Sequence, residues 1–141
     1  MEHINPLLLI DFYKADHRRQ YVNGINLVYS NFTPRKSRIP GCNYMVFFGL
    51  LYPIKEYLIN AFNYNFFLMP KEKVVKQYKR RMDTSLGVGA IPVEHIEELH
   101  DLGYLPISIS AVPEGSFIPM GTPAFVIWNT KPEFYWLPNY L

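Results

Sequence analysis

Arg35-Lys36-Ser37-Arg38 is where this sequence most plainly concentrates chemical potential. Two guanidinium groups and an ammonium follow Thr33-Pro34 and precede Ile39-Pro40-Gly41, so prolines restrict the loop that carries them. A guanidinium in fixed geometry matches a pair of phosphate oxygens, whereas a merely solubilising loop needs no fixed shape. On the loop alone both uses stand. A second group lies upstream, where helical spacing puts Asp11, Lys14 and Arg18 on one face and Tyr13, His17 and Gln20 on the adjacent one. Tyr13 and Lys14 then project side by side. A third concentration of charge, Lys71, Lys73, Lys76, Lys79, Arg80 and Arg81, falls on one further helix. It could touch nucleic-acid phosphates, but it brings no element that reads bases, so a solvated face is the preferred reading.

Other motifs exclude common chemistries. Gly87-Val88-Gly89 lacks the third glycine of a dinucleotide fingerprint, Pro92 standing in its place, and no buried strand precedes it. His95 and His100 are five residues apart, about 140° around a helix, and cannot face one metal ion. Together with His3 and His17 they lack the cysteines of a structural zinc site, and His95 and His100 read as surface residues. No metal site is expected. Gly-x-Ser-x-Gly elbows, Walker loops and Cys-His pairs are absent from the sequence, and Cys42 has no partner for an internal disulfide.

These groups need elements to hold them. The 141 residues are 49% hydrophobic and 18% charged with a net charge of +2, the composition of a folded domain with one core. Aromatic residues reach 16%, and so many rings must enter a core, an interface or a stacking site. Periodicity predicts helices from about Asp11, Tyr44, Pro70 and Pro92, the second running to Phe62 with Phe47, Leu50, Leu51, Ile54, Leu58 and Phe62 inward. The third runs to about Met82, with Val74, Val75, Tyr78 and Met82 inward. Strands are predicted over Asn26 to Phe32, Leu105 to Val112, Phe117 to Ile118 and Ala124 to Trp128. The fold class is therefore α+β, helices packed on a small, mainly antiparallel sheet. Pro53, Lys55, Glu56 and Asn60 interrupt the longest apolar stretch, so no membrane span is expected and the location reads as cytoplasmic. Phe134, Tyr135, Trp136, Leu137, Tyr140 and Leu141 crowd the last ten residues, which read as an interface or as a chain cut before the element they belong to.

The order of several rare strings then points to a family. Asp11-Phe12-Tyr13-Lys14 with His17 and Gln20-Tyr21, Val28-Tyr29-Ser30 leading to Arg35, Val46-Phe47-Phe48-Gly49-Leu50 with Tyr52, Leu105-Pro106-Ile107, Ala111-Val112-Pro113-Glu114-Gly115, Ile118-Pro119, Gly121, Asn129-Thr130 and Tyr135-Trp136-Leu137 resemble the amino-terminal part of nicotinamide phosphoribosyltransferases. The resemblance runs from about Leu7 to the last residue.

It implies salvage toward NAD, in which nicotinamide and phosphoribosyl pyrophosphate give nicotinamide mononucleotide and pyrophosphate. By position, Tyr13 resembles the aromatic that stacks on the nicotinamide ring across a head-to-tail dimer, Asp11 the carboxylate beside it, and Arg35 the arginine that reaches the phosphates. Family chains are roughly three times longer. Their α/β barrel, absent here, carries most substrate ligands and the magnesium and ATP functions, so residues 1–141 are expected to be an amino-terminal domain, truncated or split before the barrel. Such a chain binds no cofactor alone and is inactive alone. Met120 stands where some relatives carry a basic residue. The expected partners are the two substrates, held together with the barrel part, and a second copy or subunit meeting the carboxy-terminal aromatic segment. The alternative is a non-catalytic interaction module that pairs with a full-length homologue.

Overall fold

The computed structural model describes residues 4–141, and His3 lies outside the described residues. The chain forms two compact units rather than one core, each drawn from separated stretches of sequence. One comprises the described residues through Asn23, Pro53–Leu105 and Tyr140–Leu141; the other comprises Gly24–Tyr52 and Pro106–Asn139.

The first unit is helical. α1 spans Phe12–His17 and tightens into a 3-10 turn, Arg18–Gln20. α3, Lys71–Leu86, buries Val74, Val75, Tyr78 and Met82, the face its i, i+1, i+4, i+8 spacing dictates, with Pro70 as its extended N-cap. α4, Glu94–Leu102, ends at Gly103 in the left-handed conformation (φ 80°), a region that a side chain disfavours. Asn5 ties the amino-terminal segment down: its Oδ1 accepts from the Leu7 N–H at 3.1 Å, capping the Pro6–Leu8 3-10 turn, and its Nδ2 donates to the Val74 carbonyl at 3.2 Å. Phe62 and Phe66 are sealed among Tyr57 and Phe67 in edge-on and tilted contacts. Tyr140 donates its hydroxyl proton to the Leu7 carbonyl at 2.7 Å.

The second unit is built on two antiparallel sheets. β1 (Tyr29–Phe32), β5 (Phe125–Asn129) and β3 (Ile107–Ala111) pair in the order β1-β5-β3, with Tyr29 opposite Trp128 and Ile107 opposite Asn129. β2 (Tyr44–Val46) pairs with β4 (Phe117–Pro119). Phe47, Ile118 and Ala124 form a small core joined by Met45, Leu50, Val112 and Phe125. Asn129, buried, ties two stretches of backbone together: its Oδ1 accepts from the Val28 N–H and its Nδ2 donates to the Asn26 and Lys131 carbonyls, each at 2.8 Å.

The α+β class and the mainly antiparallel sheets agree with the sequence reading, and three expectations are corrected. Tyr44 does not begin a helix, because Tyr44–Val46 pairs with β4; Gly49 (φ 95°) turns the chain, and α2 begins at Leu51, its N–H bonded to the Glu114 carboxylate at 2.9 Å. After Pro53 the helix widens into π-helical turns over Ile54–Ala61 and Asn63–Phe67, as the Leu68 N–H bond to the Asn63 carbonyl shows. His95 is buried at 2% exposure and not on the surface. Finally, Phe134, Trp136 and Tyr140, expected to be covered by another chain, are each 3–5% exposed within this one, through the Pro132–Phe134 3-10 turn and α5, Leu137–Tyr140. The tail is part of the packed fold.

Candidate functional site

α1 is only six residues long, and its amino end presents the first candidate side chains. Asp11 is the N-cap residue, extended at φ −69° and ψ 133°; its carbonyl accepts from the Lys14 N–H at 2.9 Å while its carboxylate makes no cap bond and stays exposed. Acceptor capacity is therefore left for a ligand. Tyr13 is 58% exposed, and its only ring neighbour among the described residues is His17, one turn on, with centroids 5.0 Å apart and planes tilted by 55°. A ring so held keeps a free face, which is what stacking on a flat heterocycle requires.

Asp11 and Lys14 also line a groove of about 430 Å³ with Leu8, Leu9, Ile10 and Tyr140. Opposite charges thus face one cleft, set there by the three-residue spacing of 11 and 14 along the helix. The sequence reading placed Lys14 beside Tyr13 without giving it a role; that same spacing was the signal. The remaining charges of α1 are engaged with each other. Asp16 accepts from Arg19 Nε at 2.7 Å, from a second guanidinium nitrogen of Arg19, and from Gln20 Nε2 at 3.0 Å, and these hydrogen bonds, Arg19's first, hold its carboxyl below the usual carboxylate range.

Arg35 belongs to the other unit. Its loop is shaped by backbone bonds: the Pro34 carbonyl accepts from the Gly121 N–H at 2.7 Å, the Asn43 carbonyl from the Met120 N–H at 2.9 Å, and the Ile39 carbonyl from the Cys42 N–H at 3.2 Å. Ser37 Oγ accepts from the Ile39 N–H at 3.0 Å. Arg35, Lys36 and Arg38 are all exposed, and none forms an ion pair with another described residue. The loop therefore displays three uncompensated cations on a braced backbone. Asp11 and Tyr13 are brought together on α1, while Arg35 stands in its own unit.

The basic helix is divided by its partners. Lys71 Nζ reaches both Asp101 oxygens at 2.8 and 3.0 Å, and Lys79 Nζ donates to Asp83 at 2.6 Å, which leaves Lys73, Lys76, Arg80 and Arg81 without acidic partners among the described residues. Among the described residues, no group of three or more His, Cys, Asp or Glu converges to hold a metal ion. No helix among them is long and apolar enough to cross a membrane.

One unit thus presents an exposed tyrosine beside a carboxylate, and the other a braced cationic loop. Residues 5–109 match the family described as nicotinamide phosphoribosyltransferase, N-terminal domain, and the chain belongs to that family. It is 57% identical over 143 aligned residues to the nicotinamide phosphoribosyltransferase of Acinetobacter baylyi, covering 98% of this chain and 28% of that protein. To the nicotinamide phosphoribosyltransferase of Xanthomonas campestris pv. campestris it is 27% identical over 150 residues, covering 97% of this chain and 27% of that protein. The chain thus spans little more than a quarter of the length of these curated relatives.

Proposed function

We propose that this chain is the amino-terminal domain of a nicotinamide phosphoribosyltransferase and acts only together with the barrel portion that its longer relatives carry. The reaction joins nicotinamide to the ribose of phosphoribosyl pyrophosphate, with release of pyrophosphate, in salvage toward NAD. Tyr13 stacks on the nicotinamide ring, Asp11 accepts a hydrogen bond beside it, and Arg35 grips phosphate oxygens. The observation that carries the reading is the exposed Tyr13 next to an uncapped Asp11, in a chain of this family. Stacking adds roughly 1 kcal/mol beyond area burial for such a ring pair. Phosphoribosyl transfer passes through a cationic sugar and needs preorganised charge around the departing pyrophosphate, which three side chains do not supply, so the chain alone is inactive. Magnesium and ATP act in the complete enzyme through residues outside this chain. The complete enzyme is a cytoplasmic dimer in which Tyr13 serves the neighbour's pocket.

Complementation tests this directly. Nicotinamide mononucleotide formation is expected when this chain is mixed with the Acinetobacter baylyi relative lacking its own matching quarter, and neither part is active alone. Turnover by this chain alone overturns the proposal. So does failure to complement where the Acinetobacter baylyi amino-terminal part succeeds. In the mixed enzyme, Tyr13→Ala raises KM for nicotinamide by about tenfold, Tyr13→Phe restores most of it, and Arg35→Ala weakens phosphoribosyl pyrophosphate instead.

A further inference from the structure

The second half of α3 forms a groove that the proposed reaction does not use. Gln77, Arg80, Arg81 and Thr84 follow the i, i+3, i+4, i+7 spacing of one helix face, and together with Ile4, Asn5 and Leu8 they line a space of about 400 Å³. The geometry is built. Asn5 fastens the amino-terminal segment to the Val74 carbonyl and caps the turn that presents Leu8, so the apolar wall is fixed against the helix. Arg81 lies with its guanidinium carbon 5.2 Å from the centre of the Phe12 ring, a contact that helps hold the side chain in place. Thr84, the last of these lining residues, donates its hydroxyl proton to the Arg80 carbonyl at 2.7 Å.

The groove's own cations are available to a ligand. Lys71 and Lys79 are neutralised by Asp101 and Asp83, whereas both arginines of the groove, like Lys73 and Lys76 outside it, lack an acidic partner among the described residues. Two adjacent guanidiniums beside an amide, with leucine and isoleucine opposite, match a dianion that carries an apolar substituent. We propose that this groove binds a phosphate monoester with an aromatic or alkyl body, the phosphoryl oxygens on Arg80 and Arg81 and the body against Ile4 and Leu8. The proposal is independent of the transferase reading, because it shares no residue with Asp11, Tyr13 or Arg35.

Titration of the full chain with phenyl phosphate, followed by backbone amide shifts, tests it. Shifts are expected over residues 4–8 and 77–84; inorganic phosphate binds more weakly, and phenol not at all. Arg80→Ala lowers affinity by about tenfold, while Lys79→Ala, which removes an equal charge already paired with Asp83, leaves it unchanged. Arg80 is exposed, so its variant keeps the fold, as the unchanged amide shifts elsewhere should show. Shifts centred on the Arg35 to Arg38 loop, equal losses from Arg80→Ala and Lys79→Ala, equal binding of phenol, or no binding to the chain would each overturn the assignment.

Discussion

The two units bury their aromatic residues to different extents. The helical unit seals Phe62, Phe66, Tyr78 and Tyr140, whereas the sheet unit buries Phe47, Phe134 and Trp136 but leaves Tyr29, Phe32, Tyr44, Phe48, Tyr52 and Phe117 exposed. Geometry explains the contrast. Helices packed from several directions can enclose a ring on all sides, but a sheet of two or three strands has two faces and covers only one without another layer. Across β1 and β5 the exposed Tyr29 and Phe32 instead rest on half-buried rings: Tyr29 stacks on Trp128 at 5.7 Å, and Phe32 on Phe125 at 5.3 Å with planes 5° apart. Aromatic abundance therefore supplies core in both units and a larger exposed share in the sheet unit, while the helical unit leaves Tyr13, Tyr64 and Tyr104 exposed.

Removing a ring from each region gives the sharpest test. Phe62→Ala should cost about 3–5 kcal/mol in denaturant unfolding, because it opens a cavity among rings that cannot collapse around it. A cost near zero would break the claim that the helical unit's rings are its core. In the sheet unit the costly residue is polar: Asn129→Ala should lose about 2 kcal/mol, since it strands the Val28 N–H and two carbonyls. Asn129→Asp, which keeps only the acceptor, should fall between wild type and alanine.

A pH series separates the units differently. Burial, with a smaller contribution from the charge of Arg18, pushes the His95 pKa down from 6.5 to about 3. The unfolded chain then binds the extra proton first, so stability should fall by about 1.4 kcal/mol per pH unit as pH drops below 6.5, flattening near 3. Replacing His95 with Phe should remove that slope, and an unchanged slope would place the acid sensitivity elsewhere. Smallest of all is Phe117→Ala: at 74% exposure its loss should stay under about 0.5 kcal/mol, against the several expected for Phe62.

Some of this was legible in the residues. The inward face of Val74, Val75, Tyr78 and Met82 and the stop at Gly103 follow from spacing and a single glycine, and both stand in the structure as read, while the helix itself runs four residues past Met82 to Leu86. Strands Ile107–Ala111 and Phe125–Asn129 also fall where alternation and β-branched content place them. Family membership was legible too, because rare strings recur in one order along the chain. The misplaced helix start shows the limit: Tyr44 to Leu50 carries apolar residues at helical spacing, and only the partner strand Phe117–Pro119, some seventy residues on, makes Tyr44–Val46 extended.

What the sequence determined by itself is whatever depends on neighbours within a turn or a strand: periodicity, caps, turns and the types of side chain brought to α1 and to the Arg35 loop. Only the tertiary structure decided that His95 is enclosed, that Tyr140 bonds to the Leu7 carbonyl, that Arg80 and Arg81 go unpaired while Lys79 does not, and that the chain divides into two units. Burial and pairing are set by residues far away in the chain, and local spacing contains no record of which distant surface will arrive.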